Sequence, residues 1–196
     1  KRGIKLIFSD AQQKQDNQIN ALRSFIAQGE GVITFSSVVE TGWETVFQEA
    51  KDAGIPLILV DRRAAVPEDL YVTYLGSDFV EEGRKAGDVM IDLLGGTGKV
   101  VELVGTVGSA PANDRALGFR EAIADQAGLE IIASQSGDFT RAKGKEVMEA
   151  FLKAHGHTID ALYAHNDDMA IGAIQAIEEY GLKPGVDIKI VSIDAV

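Results

Sequence analysis

Polar and charged residues follow directly after short apolar runs in this sequence, and those are the places where it could do chemistry. Ser36-Ser37 follows Gly31–Phe35, and Asp61-Arg62-Arg63 follows Ile55–Val60. Gly105-Thr106 follows Val100–Val104, Gly137-Asp138-Phe139 follows Leu129–Ser134, His165-Asn166-Asp167-Asp168 follows Ile159–Ala164, and Asp194 follows Ile188–Ile193. Carboxylates accept hydrogen bonds, a guanidinium donates them in a planar fork, and an amide does both. Such a set suits a small ligand with several hydroxyl groups. A charged pair directly after Leu57-Ile58-Leu59-Val60 is costly to bury without partners, which points to a ligand role for Asp61 and Arg62. Asp194 follows its apolar run in the same way, and the Asn166 amide, which donates and accepts at once, suits a hydroxyl. Simpler roles compete elsewhere. Asp78, Asp167 and Asp168 read first as helix N-caps. Phe139 is either a core plug or an aromatic face for the C–H face of a sugar. Arg115 lies on a helical stretch, Ala112–Gln126, with Leu117, Phe119 and Ile123; taken alone it reads as a solvated surface residue.

Other chemistries find less support. Gly95-Gly96-Thr97-Gly98-Lys99 precedes a strand and lacks the following Ser or Thr, so it fails as a phosphate loop. The sequence has no Gly-x-Ser-x-Gly elbow. It has no Cys, which excludes thiolate metal sites and Cys nucleophiles. His155-Gly156-His157 has no evident third ligand, so no metal is expected. No spacing picks out an acid and base pair, so the expectation is a binding protein without a cofactor, not an enzyme. The net charge, 19 − 30 = −11, argues against a nucleic-acid partner. No apolar run approaches the roughly 18–20 residues of a membrane helix, so no membrane insertion is expected.

The elements that must position these residues alternate along all 196 residues. Strand candidates are Ile4–Phe8, Gly31–Phe35, Ile55–Val60, Tyr71–Leu75, Val100–Val104, Leu129–Ser134, Ile159–Ala164 and Ile188–Ile193. Most are continuous apolar runs, as expected of parallel strands covered on both faces. Gln15–Gln28, Asp78–Leu94 and Asp167–Tyr180 carry apolar residues at helical spacing. Gln12 to Gln18 reads as the solvated first turn of its helix. Strand and helix in alternation specify a doubly wound α/β fold, whose ligands bind outside the carboxyl ends of the strands. A new series of units begins after Gly76-Ser77. Two lobes are therefore expected, residues 1–76 and 77–196, each with an open parallel sheet of about four strands.

The order of elements, together with Asp61-Arg62, Gly137-Asp138-Phe139-Thr140-Arg141-Ala142-Lys143-Gly144, Tyr163 to Ala170 and Ser192-Ile193-Asp194, resembles the ribose-type (type I) periplasmic sugar-binding proteins of ABC importers. Thr41-Gly42-Trp43-Glu44, Gly105-Thr106-Val107-Gly108 and Ser134 to Thr140 are most similar to the galactofuranose-binding subgroup. The resemblance implies a monomer whose two lobes close on a monosaccharide in the periplasm and deliver it to the permease subunits of an ABC transporter. It implies sugar contacts at Ser36, Asp61 and Arg62 in the first lobe. It implies contacts at Arg115, Phe139, Asn166 and Asp194 in the second, so it moves Arg115 from the surface into the site. Ser77 would lie at a hinge crossover. Compared with that family, the first strand and helix before Lys1 and a crossover beyond Asp194 are expected to be missing here. The effector core of a LacI-type transcription regulator shares the fold and is the alternative. What precedes Lys1 in the gene, a helix-turn-helix or a signal peptide, separates the two.

Overall fold

Runs of three to nine residues form the strands, and each parallel crossover carries a helix where the spacing allows one. A computed structural model describes residues 3–195. The chain divides into two units, the first ending at Ser77 and the second beginning at Asp78.

The first unit contains α1 (Gln15–Gln28), β1 (Ile33–Phe35), α2 (Glu44–Asp52), β2 (Leu57–Val60) and β3 (Thr73–Leu75). Its strands are parallel in the order β1-β2-β3, with Phe35 beside Leu59 and Leu59 beside Tyr74. Trp43, Phe47, Leu57 and Leu59 fill its core, and the Phe35 ring meets the edges of Trp43 and Phe47 at centroid distances of 4.9 and 5.7 Å. Ile4–Phe8, expected as a strand, is not one. Its apolar alternation supplies propensity, but it pairs with no strand among the described residues, and Ile4, Leu6 and Phe8 are all exposed. A strand needs a ladder partner that local sequence cannot provide.

The second unit contains α3 (Phe79–Leu94), β4 (Thr97–Val104), α4 (Ala110–Ile123), β5 (Gly128–Ser136), α5 (Arg141–His155), β6 (Ala161–Ala164), α6 (Asp167–Glu179) and β7 (Lys189–Val191). Its sheet is parallel in the order β5-β4-β6-β7. Successive side chains point to opposite faces. Val101, Leu103 and Leu162 therefore pack with Met148, Phe151 and Ile177 of α5 and α6. Val100 and Tyr163 pack with Met90 and Phe119 of α3 and α4. Both faces are covered, as in a doubly wound sheet. The helices approach closely at small residues. A Cβ on Gly118 would lie 1.9 Å from the Val80 carbonyl oxygen, and one on Gly83 would lie 2.2 Å from that of Arg115. These glycines set α4 against α3 and so place Arg115.

Candidate functional site

The polar groups singled out in the sequence lie at the carboxyl ends of both sheets. In the first unit, Ser36 follows β1 and Asp61-Arg62 follows β2. A cavity of about 540 Å³ opens there, lined by Phe8, Asp10, Ser36, Asp61 and Arg62 among others. The Asp61 backbone is held at both ends: its N–H donates to the Leu75 carbonyl and its own carbonyl accepts from the Tyr74 hydroxyl, each at 2.8 Å. Its φ of 64° is a left-handed conformation that a non-glycine residue adopts at a cost. The Asp61 side chain is exposed and stands 3.8 Å from Nε of the half-buried Arg62, whose Nη1 reaches the Val38 carbonyl at 3.4 Å.

The expectation that Gln12 to Gln18 is only a solvated turn needs correction. Gln18 donates from Nε2 to the Ser36 carbonyl at 2.7 Å and accepts from the Val38 N–H at 2.9 Å. Gln15 donates to the Thr41 carbonyl at 2.6 Å. The two amides clip the loop that carries Ser36 onto α1. Composition alone cannot distinguish such amides from solvated ones.

In the second unit, Arg115, Phe139, Asn166 and Asp194 come together. Arg115 is only 6% exposed, against the surface position its helix pattern suggests. Its Nε donates to Glu82 at 2.9 Å, its Nη1 to the His165 carbonyl at 2.6 Å and its Nη2 to Asp194 at 3.3 Å. The guanidinium carbon stands 5.2 Å from the Phe79 ring centre and 5.9 Å from that of Phe139, within cation–π range. Asn166 Nδ2 donates to the Phe139 carbonyl at 3.3 Å. Phe139 is half-buried against the α5 and α6 core cluster, so it keeps some of its core-plug character while its ring borders the guanidinium.

Local structure explains these placements. Asn166, not Asp167 or Asp168, is the N-cap of α6, its Oδ1 accepting from the Met169 N–H at 3.1 Å. Asp167 instead accepts from the Ser192 hydroxyl, and Asp168 pairs with Arg141 at 2.7 Å. Asp78 does cap its helix, accepting from the Glu81 N–H at 3.0 Å. Phe139 and Asp194 have φ of 56° and 114°. Together with Asp61, these are non-glycine residues in sparsely populated backbone conformations at strand ends, a signature of functional sites. Gly105, after β4, is required by contact: a Cβ there would lie 1.9 Å from the Phe139 ring.

Beneath this cluster lies a buried polar network that motif reading missed. Glu102 and His165 are fully buried and meet at 3.1 Å. Glu102 also accepts from Arg120 and from Ser134, each at 2.6 Å. Ser134 reaches it because β5 gains a residue between Val100 and Val101 of the β4 register; the shift sets Glu102 opposite Ser134. Burial pushes the Glu102 carboxyl up, but hydrogen bonds from His165 and Ser134 and the Arg120 charge outweigh this and hold it as a carboxylate. Burial lowers the His165 imidazole, and Arg115 and Arg120 add to this against the pull of Glu102, so the ring stays neutral. Burial raises the Asp194 carboxyl, opposed by the Arg115 charge and reinforced by Asp167 and Glu82. In the sequence the network shows only through position: Glu102 interrupts the apolar run Val100–Val104.

The arrangement can bind hydroxyl groups by charge-assisted hydrogen bonds and can stack an apolar sugar face on Phe139. Among the described residues no cluster has the makings of a metal site, and no helix is long and apolar enough to cross a membrane.

Residues 1–196 match the family described as periplasmic binding protein domain. A galactofuranose-binding protein of Escherichia coli (strain K12) is 56% identical over 200 residues, covering 100% of this chain and 63% of that protein. The chain thus spans somewhat less than two thirds of that relative. Among solved structures, the periplasmic binding component of the arabinose ABC transporter from Shewanella sp. ANA-3, bound to α- and β-L-arabinofuranose, is 56% identical with a TM-score of 0.96, covering 100% of this chain and 65% of the other. A Mycobacterium smegmatis protein in complex with β-D-fucofuranose is 53% identical with a TM-score of 0.95, covering 98% and 64%.

Proposed function

Because the chain belongs to the periplasmic binding protein domain family, we propose that it is the sugar-capturing part of a periplasmic solute-binding protein that delivers a furanose monosaccharide to an ABC importer. The observation that carries this reading is the convergence of Arg115, Phe139, Asn166 and Asp194 at the strand ends of the second unit. A guanidinium fork, a carboxylate, an amide and an aromatic face are what a polyhydroxylated ring with one apolar face requires. Ser36, Asp61 and Arg62 supply the first unit's share. Their strained backbone at Asp61 and the cavity beside them support that assignment. The furanose form is favoured by the similar proteins reported above, whose structures hold arabinofuranose and fucofuranose. Those relatives are binding components rather than regulators or enzymes, which favours the importer over a LacI-type effector core. The partners would be the sugar and the permease subunits.

Calorimetry with L-arabinose, D-galactose and D-ribose tests the reading. Saturable heat with L-arabinose or D-galactose is expected. Heat with none of the sugars overturns it. Asp61→Ala should weaken the affinity by more than about tenfold, because it leaves donor hydroxyls of a bound sugar without their acceptor. Unchanged affinity removes Asp61 from the site.

A further inference from the structure

The cluster in the second unit rests on two residues that lie beneath it. Glu102 and His165 are both fully buried, and their side chains meet through Oε1 and Nε2 at 3.1 Å. A carboxylate can only accept, so Nε2 carries the proton. Nδ1 is then left with its lone pair, and it faces the Gly105 N–H at 3.4 Å. The His165 backbone carbonyl meanwhile accepts from Arg115 Nη1 at 2.6 Å. One residue therefore grips the loop after β4 with its ring and the guanidinium with its backbone. The Gly105 grip bears on Phe139, whose ring occupies the space a side chain at 105 would need. Glu102 cannot swing away, because Arg120 and Ser134 both hold its other oxygen at 2.6 Å.

We propose that the buried Glu102–His165 pair is the positioning device of this cluster: Glu102 fixes the imidazole tautomer, and the imidazole fixes the Gly105 amide and with it the seat of Phe139 beside Arg115. The functional consequence rests on the sugar-binding reading; the geometry does not.

A pH dependence follows. The groups facing the ring are Glu102 on β4, Arg115 and Arg120 on α4, and Tyr163 on β6, with Glu82 and Asp194 reached through Arg115. Burial and both arginines oppose a charge on the ring, so it takes its second proton below the ordinary imidazole range near 6.5. That proton can go only to Nδ1, where it confronts the Gly105 N–H. A histidine lowered in the folded state contributes stability above the ordinary value and loses it as the pH falls toward the folded one. The cluster should therefore be intact at neutral pH and lose its Gly105 contact in acid.

Two substitutions separate the ring's two nitrogens. His165→Asn can put an acceptor where Nδ1 lies but has no titrating ring. His165→Gln can put a donor where Nε2 lies but offers Gly105 nothing. NMR of the sugar-free chain at pH 7 should show Nε2 protonated and Nδ1 bare; a protonated Nδ1 overturns the proposal whatever the sugar does. Calorimetry with L-arabinose from pH 8 down to the acid end of the folded range should show steady affinity near neutrality, then a fall of about tenfold per pH unit once the ring titrates. His165→Asn should lose that acid limb, any remaining fall belonging to Asp194, and should bind more tightly at pH 7 than His165→Gln. His165→Gln should be about tenfold weaker at pH 7. Identical acid limbs in wild type and His165→Asn, or equal affinities for the two variants, overturn the proposal. If wild type binds no sugar, the functional reading falls, and the tautomer alone decides the positioning. Circular dichroism verifies that each variant folds; if either does not, the tautomer and the wild-type pH profile decide.

Discussion

At Arg115 one side chain serves Glu82, the His165 carbonyl and Asp194 together. Only a planar fork with several fixed donors can do that, and an ammonium on a flexible stem cannot. Arg115→Lys should therefore weaken sugar binding by at least about tenfold, roughly 1.4 kcal/mol, in calorimetry. An unchanged affinity would take Arg115 out of the site. Asp194 behaves in the opposite sense to a stabilising ion pair. Burial raises its carboxyl despite Arg115. A carboxyl raised in the folded state contributes its stability at low pH and loses it as the pH rises through the folded value. Asp194→Asn removes that charge with little change in shape. It should raise the melting temperature at pH 7 while lowering sugar affinity, a trade between stability and function. A lower melting temperature would mean that the Arg115 pairing dominates. The sequence around Arg115 could not show any of this. Its helix neighbours describe a surface, and its partners His165 and Asp194 lie 50 and 79 positions along the chain.

The elements around the site owe their placement to small residues and to register. Gly118 of α4 sits where a methyl group would fall 1.9 Å from the Val80 carbonyl oxygen. That atom is backbone and cannot turn aside. Gly118→Ala should destabilise the second unit by about 1–3 kcal/mol in urea unfolding, and it should weaken sugar binding by displacing Arg115. A stability unchanged from wild type would mean that α3 and α4 slide freely. The extra residue in β5 has a similar role, since without it Glu102 would face Ala133 and lose the Ser134 hydroxyl. Helix periods and stop glycines were legible: Gln15–Gln28 and Gly29 lie where the pattern puts them, with Gly29 in a left-handed C-cap. The cap of α6 was not, because Asn166, Asp167 and Asp168 are all competent caps by type, and only the fold sets the Asn166 side chain on the Met169 N–H. Ile4–Phe8 was misread as a strand because propensity is local and pairing is not.

Across the whole molecule each unit has a core of its own, and the two differ in how firmly their sheets are built. The first unit's strands run for only three or four residues, whereas β4 and β5 run for eight and nine with helices on both faces. Opening free energy follows buried contact and ladder length. Hydrogen exchange should therefore be slower at the amides of Val101 and Leu103 than at those of Ile33 and Phe35; the reverse order would show that the second sheet opens more readily. The sequence by itself determined the alternation of strand and helix, because the period of the apolar residues is a property of neighbours along the chain. It also determined that polar groups stand at strand ends, since each follows its run directly. Only the tertiary structure decided which of those groups meet. Arg115, Phe139, Asn166 and Asp194 come from separate crossovers, and the Glu102–His165 pair beneath them joins positions 63 residues apart. Such pairings depend on strand order, register and helix approach, and these are fixed when the sheet and its layers pack.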